Sequence, residues 1–228
     1  MLPLGAGQTG VMETAQVAIV RGEEELFART AHLFAAATDV ACAANDLSTW
    51  AATRPRPEIA EGVAEHRRAG VRVRKVYRPG VLLNPSMAQH LATLRDAGAD
   101  IRITRDEVNE TIILDRRVVI LAGDLAAGVR SYSVISQPEV VQGVASLFEA
   151  AWRASEDLST YDASLAELRT LAPRVLELLA AGGKDEPAAR SLGLGVRTYR
   201  RRVAELMAAL GAESRFQAGV RARELGLV

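Results

Sequence analysis

The chain has 228 residues, of which 49% are apolar and 25% charged, enough for one large domain or two small ones with a genuine core. Lys and Arg balance Asp and Glu at 28 each, and a neutral chain is a poor candidate for coating nucleic acid without selectivity. Cys42 is the single cysteine, which excludes an intrachain disulfide framework and a cysteine metal cluster. With no run of 18 apolar residues and no signal-peptide layout, the expectation is a cytoplasmic protein without a membrane partner.

Residues 1–14 hold three glycines and little periodicity, and are expected to be a disordered leader. From there to residue 154 the pattern alternates between short β-branched runs and helical spacings. Gln16–Val20 is a strand, and Glu23–Ala37 a helix stepping through Leu26, Phe27, Thr30, Leu33 and Phe34. Val40–Ala44 is a second strand. Asn45–Arg56 is a loop or a broken helix, since Pro55 and Pro57 limit any helix there. Pro57–Ala69 is a helix with Pro in its first turn and Gly70 at its end. Val71–Tyr77 is a strand, Ser86–Ala97 a helix, and Asp100–Thr104 a strand again. Thr111–Leu114 and Val118–Leu121 flank Asp115-Arg116-Arg117 as a hairpin, followed by a strand at Ser131–Ile135 and a helix from Pro138 to about Arg153. This alternation predicts an α/β domain with a mixed sheet over residues 15–154. The polar stretch 155–166 is expected to be a linker.

The region 167–228 has a different character. From Ser164 onward Lys and Arg outnumber Asp and Glu by 11 to 7, and the excess is offset by an acidic balance in the rest of the chain. Within it, an apolar-periodic segment ends at Leu192, Gly193-Leu194-Gly195 breaks the period, and a second helix begins at once. Val196, Tyr199, Val203, Leu206 and Leu210 fall on one face of that helix, while Arg197, Arg200 and Arg201 fall mainly on the others. A helix-turn-helix whose second helix carries arginines in its first turns suits entry into a DNA major groove. An Arg-rich solvated face in an ordinary bundle is the plainer alternative.

The segments L-E-L-L-A-A-G at 176–182, A-A-R-S-L-G-L at 188–194, R-T-Y-R-R-R-V at 197–203, A-A-L-G-A at 208–212 and S-R-F-Q-A at 214–218 resemble the four-helix DNA-binding domain of the LuxR family of transcriptional regulators. The resemblance covers about a quarter of the chain. It departs from the family at Leu171–Arg174, where a Thr-Pro-Arg-Glu-like entry is usual. It departs again at Gly195, where Ser or Thr usually caps the recognition helix, and at Val196, where an acid is common. What it implies is an all-α four-helix domain: a support helix Leu171–Ala181, a positioning helix Asp185–Leu192, a recognition helix Val196–Leu210 and a closing helix Ser214–Leu225. By the same resemblance Lys184 meets a phosphate, Thr198 and Arg200 face the groove with Arg201 beside them, and Arg202 is a backbone clamp or surface residue. Arg197 reaches a phosphate or pairs with the acids near Glu205. Partners are then double-stranded DNA and a second copy of the chain, with Phe216, Val220 and Leu225 of the closing helix as contact residues; Phe216 is equally placed to be monomer core.

The element order over Ala15–Ala154, with V-A-I-V-R-G, V-R-V-R-K-V-Y, G-A-D-I-R-I and L-F-E-A-A-W, resembles the phospholipase D-like sensor domain of TrmB-type regulators. Phospholipase D-like enzymes use His-x-Lys-x4-Asp, with the histidine as nucleophile and the lysine on the phosphate. The matching positions here are Val108, Glu110 and Asp115, so nucleophile and cation are both missing, and Asp115 reads as a turn residue. No phosphate-binding loop, dinucleotide fingerprint or nucleophile elbow occurs, and His32, His66 and His90 lack metal spacing. No catalytic residue, cofactor or metal is therefore expected. A small-molecule effector is the working expectation for this domain, in a pocket beyond the strand ends near Asn45, Arg78, Arg105 and Asn109; a plain dimerisation platform is the alternative. The whole chain is expected to be a sequence-specific transcriptional regulator. Its rivals are a degenerate phospholipase D-like enzyme and a protein–protein adaptor that no longer reads DNA.

Overall fold

A computed structural model describes residues 16–44 and 69–228. The expected leader, the loop at Asn45–Arg56 and nearly all of the helix Pro57–Ala69 lie outside the described residues, as does the candidate Asn45.

Eight strands form one mixed sheet in the order β1-β7-β6-β5-β2-β3-β4-β8. The parallel centre is β2 (Asp39–Ala44), β3 (Arg72–Tyr77) and β4 (Asp100–Ile103). β5 (Thr111–Leu114), β6 (Val118–Ala126) and β7 (Val129–Ile135) follow as an antiparallel meander, and β1 (Val17–Arg21) closes that edge against β7. The strict alternation of a strand sorts side chains to two faces. On one face Val40, Val73, Tyr77, Ile101 and Ile103 join α1 (Glu23–Ala36) and α2 (Pro85–Asp96) in one buried cluster. On the other, Ala41, Ala43, Val76, Ile113 and Val119 meet Val141, Ala145 and Phe148 of α3 (Pro138–Ala154).

Two expectations change. The strands expected at Val118–Leu121 and Ser131–Ile135 are longer: β6 runs on through Gly123-Asp124 to Ala126, and β7 begins at Val129. The register slips between Ala122 and Leu125, and a Cβ on Gly123 would lie 2.6 Å from the Ser131 hydroxyl, so close strand approach explains that glycine. The tight turn between them is Ala127-Gly128, both at positive φ. The second change is at 155–166, expected as a linker. Glu156–Asp157 is a short strand, β8, on the free edge of β4, and α4 then runs unbroken from Leu158 to Ala180. Asp157 caps it by accepting from the Ser159 backbone N–H at 2.8 Å. Leu158, Tyr161, Leu165, Leu168, Ala172 and Val175 step by three or four along one buried face. The polar residues between them had masked that stripe.

α4 and the helices after it, α5 (Asp185–Ser191), α6 (Val196–Leu210) and α7 (Arg215–Glu224), pack onto the sheet layer around a 3-10 turn at Pro79–Leu83. All five residues of that turn are buried. Arg169 donates through Nε to the Leu82 carbonyl at 2.5 Å. Asn84 caps α2 with its side-chain oxygen and donates its amide to the Leu225 carbonyl at 3.3 Å. The apolar cluster on this face runs without interruption from Val40 to Leu206 and Ala222.

Candidate nucleic-acid interface

The turn between α5 and α6 is made by backbone chemistry. Gly193 takes φ +65°, its N–H bonds the Arg190 carbonyl at 3.0 Å, and the Leu194 N–H bonds Ala189 at 2.9 Å. This pair satisfies two carbonyls left over at the end of α5 and reverses the chain at once. Gly195 caps α6 in extended conformation without a side-chain bond.

α6 then divides cleanly. Tyr199, Val203, Leu206, Ala209 and Leu210 are buried against the rest of the helical layer, with Val196 half-buried. Arg197, Arg200, Arg201, Ala204 and Ala208 are exposed along the opposite face. The outward face therefore presents three guanidinium groups over its first two turns and the small side chains of Ala204 and Ala208 beyond, with the part-exposed Glu205 at its flank.

The six residues expected to meet DNA are not equivalent. Lys184 is exposed at the cap position before α5, and neither it nor Arg197 has an ion-pair partner among the described residues. The alternative pairing of Arg197 with acids near Glu205 does not occur. Glu205 is taken by Arg202 at 2.8 Å, with Arg201 loosely placed at 3.6 Å. Thr198 is half-buried. Arg202 is turned inward, its side chain 13% exposed, bridging Glu205 and Glu167 of α4. Arg200 lies outward at 62% exposure, and its Nε donates to Asp185 Oδ2 at 2.7 Å.

Asp185 is the residue that sequence reasoning passed over as a side chain. Its other oxygen, Oδ1, accepts from Arg215 Nη2 at 2.7 Å, so one carboxylate ties together the starts of α5 and α7 and the second turn of α6. Hydrogen bonds from Arg200 and Arg215 hold this carboxyl below the usual aspartate range. The partners are 15 and 30 residues away, at no helical spacing, so no local pattern signals the cluster. Phe216 is 81% exposed and Val220 45%, which places Phe216 outside the monomer core, while Leu225 is half-buried near Gly80.

The three described residues of the expected effector site do not gather around one cavity. Arg78 is buried at the end of β3, where it faces Glu107 at 3.6 Å and lies against Gly211. Arg105 stacks over the Tyr161 ring of α4 at 5.7 Å. Asn109 lines an open, mainly apolar groove of about 320 Å³ with Val108, Leu121, Val144, Leu147 and Phe148. Both arginines are thus used to hold the helical layer against the sheet.

The positions equivalent to a phosphodiesterase motif are also accounted for. Val108 lines that groove. The buried Glu110 carboxylate accepts from Arg130 at 3.0 Å. Asp115, at φ +50°, accepts from the Thr38 hydroxyl and from the backbone N–H groups of Thr38 and Asp39, each at 2.8 Å. It is a turn residue, and it also fixes the start of β2. No group of metal-ligating residues occurs among the described residues, and no helix there is long and apolar enough to cross a membrane. Burial pushes the Cys42 thiol above its ordinary pKa, the direction of an unreactive cysteine.

No family model matches the chain. It is 33% identical over 165 residues to the bialaphos biosynthetic pathway regulatory protein of Streptomyces hygroscopicus, a match covering 70% of this chain and 62% of that protein. The match thus spans less than two thirds of that relative's length. Among solved structures, the phospholipase D family member Nuc from Salmonella typhimurium is similar at TM-score 0.49 and 15% identity, over 62% of this chain and 96% of that one. TrmBL2, an archaeal chromatin protein, is similar at TM-score 0.48 and 17% identity, over 64% of this chain and 56% of that one.

Proposed function

We propose that the chain is a sequence-specific DNA-binding transcriptional regulator that reads a duplex with the outward face of α6. The observation that carries this is the division of that helix: a buried apolar seam behind, and Arg197, Arg200 and Arg201 exposed in front, directly after a tight two-helix turn. Lysines and arginines at this position supply the phosphate and guanine contacts that major-groove recognition needs. The likeness to a pathway regulatory protein over 165 residues supports the same reading. Lys184 and Arg197, both without an ion-pair partner among the described residues, are assigned to phosphates, and Arg200 and Arg201, with Thr198, to the groove. Arg202 is assigned to holding α6 on α4.

A single module of this size buries limited surface, so the working form is a homodimer on paired half-sites. The exposed Phe216 and Val220, one helical turn apart on α7, are the contact we assign to it. The α/β layer is assigned a regulatory role without catalysis, since valine and glutamate at 108 and 110 offer neither a nucleophile nor a cation for phosphodiester cleavage. Selection of bound duplexes from a random-sequence pool tests the proposal. A reproducible sequence is the expected outcome, and uniform recovery at all salt concentrations refutes it. Hydrolysis of a phosphodiester substrate by the purified chain would instead support the enzyme reading.

A further inference from the structure

Two arginines donating to one carboxylate at a helix junction is an arrangement with a consequence for recognition. Asp185 has each carboxylate oxygen engaged by a different arginine at 2.7 Å, and its side chain is 16% exposed against 62% for Arg200 and 48% for Arg215. The carboxylate is thus largely covered by the two guanidinium groups, which are the more exposed members of the cluster. Arg200 contributes only its Nε to this pair, and neither of its Nη groups is hydrogen-bonded among the described residues. A guanidinium can grip guanine O6 and N7 end-on, through Nη1 and Nη2, or side-on, through Nε and Nη2. With Nε committed, only the end-on fork is presented.

We propose that Asp185 is a positioning and specificity-determining residue: by holding Arg200 through Nε it aims the Nη1/Nη2 fork at one guanine and, by neutralising Arg200 and Arg215 in part, it weakens their attraction to phosphates at large. This rests on the reading of α6 as the recognition helix and extends it to a residue on α5. Two effects follow with opposite signs. Fixing the side chain beforehand removes a rotamer-ordering cost from the specific complex only. Placing a negative charge beneath two cations lowers binding to any duplex, because fewer counterions are displaced. Loss of Asp185 should therefore weaken the selected sequence and strengthen a scrambled one.

The full chain is first used to select a preferred duplex from a random-sequence pool. Wild type, Asp185→Asn, Asp185→Ala, Arg200→Ala and the double variant Asp185→Ala/Arg200→Ala are then titrated with that duplex, with versions replaced at single guanines, and with a scrambled duplex, at several salt concentrations. Asp185→Ala is expected to reduce the selected-to-scrambled affinity ratio by roughly three- to tenfold, the scale of one rotamer-rich side chain no longer ordered beforehand, while the uncovered charge strengthens binding to both duplexes alike and leaves the ratio unchanged. It should also flatten discrimination at the same base pair that Arg200→Ala affects and steepen the salt dependence. When Arg200 is absent it should add nothing further to the loss of discrimination, the uncovered Arg215 then changing only the binding common to all duplexes. Asp185→Asn, isosteric and still able to accept one bond, should fall between wild type and alanine, and it carries the test if the alanine variant melts below the assay temperature. Equal loss on selected and scrambled duplexes, or an unchanged preference at Arg200's base pair, overturns the proposal while leaving DNA reading intact. A wild-type chain that enriches no sequence overturns both, so the two failures are told apart by the first step.

Discussion

Gly211, at the end of α6, lies against Arg78 at the end of β3, and replacing it with alanine tests whether α6 and the sheet layer act as one body. Gly211 ends α6 at φ +64°, and its N–H and that of Ala212 close the helix on Ala208 and Met207. A Cβ there would lie 1.7 Å from Arg78 Nη2 and 2.7 Å from its Cζ. Two costs follow. A left-handed conformation costs an L-residue about 1–2 kcal/mol. Displacing the buried Arg78 guanidinium adds overpacking of about 1–3 kcal/mol. Gly211→Ala should thus lose about 2–5 kcal/mol in urea denaturation followed by far-UV circular dichroism, with the slope unchanged. In an Arg78→Ala background the clash is gone, and only the conformational cost of about 1–2 kcal/mol should remain. Equal losses in both backgrounds would refute the close approach of Arg78. A transition that splits in two would refute a buried cluster continuous from the sheet to α6.

Arg200→Ala should cost about 1–3 kcal/mol on a selected duplex and little on a scrambled one, read by fluorescence anisotropy. Lys184→Ala should weaken all duplexes alike and reduce the salt slope by about one. Arg202→Ala should lower stability by about 1 kcal/mol, since its two acid partners stay hydrated, while the selected-to-scrambled ratio holds; a changed ratio would return Arg202 to the interface. Asp115→Ala removes the acceptor of three hydrogen bonds and should cost about 1–3 kcal/mol. Burial pushes the Asp115 carboxyl up, but the bonds from Thr38 and Asp39 outweigh it and hold the pKa below its ordinary value. Because the folded-state pKa is depressed, that stabilisation is present above the unfolded carboxylate pKa of about 4 and is lost as pH falls through the folded value. Asp115→Asn should accordingly flatten the acid limb of stability against pH, and an unaltered limb would refute the assignment.

Much of the fold is legible in the chain wherever a single element carries its own period. β3 shows its strand pattern, and α6 shows both its apolar seam and its exposed arginines, because burial on one face leaves a mark every two or every three to four residues. α4 was half-missed for a related reason. Its stripe from Leu158 is present, but Ser, Thr and Asp between the apolar positions imitate a linker, and only packing against β4 and the 3-10 turn reveals which residues are inside. Gly123 and Asp124 likewise imitate a turn, and only the close approach of Ser131 shows why a strand tolerates them.

The side-chain partnerships stand apart from this. Arg197, Arg200, Arg201 and Arg202 are nearly interchangeable as letters, and the sequence alone determined that a basic helix follows a tight turn. Which arginine is tethered and which is turned inward was decided by Asp185 on α5 and Glu167 on α4, together with Glu205 one turn along α6 itself. The same holds for Arg78 and Arg105, which lie beyond strand ends as an effector pocket would require and are instead drawn onto Gly211 and Tyr161. Periodicity is a property of one segment and survives in the sequence. A charge pair depends on where two distant segments come to rest, and only the folded chain fixes that distance.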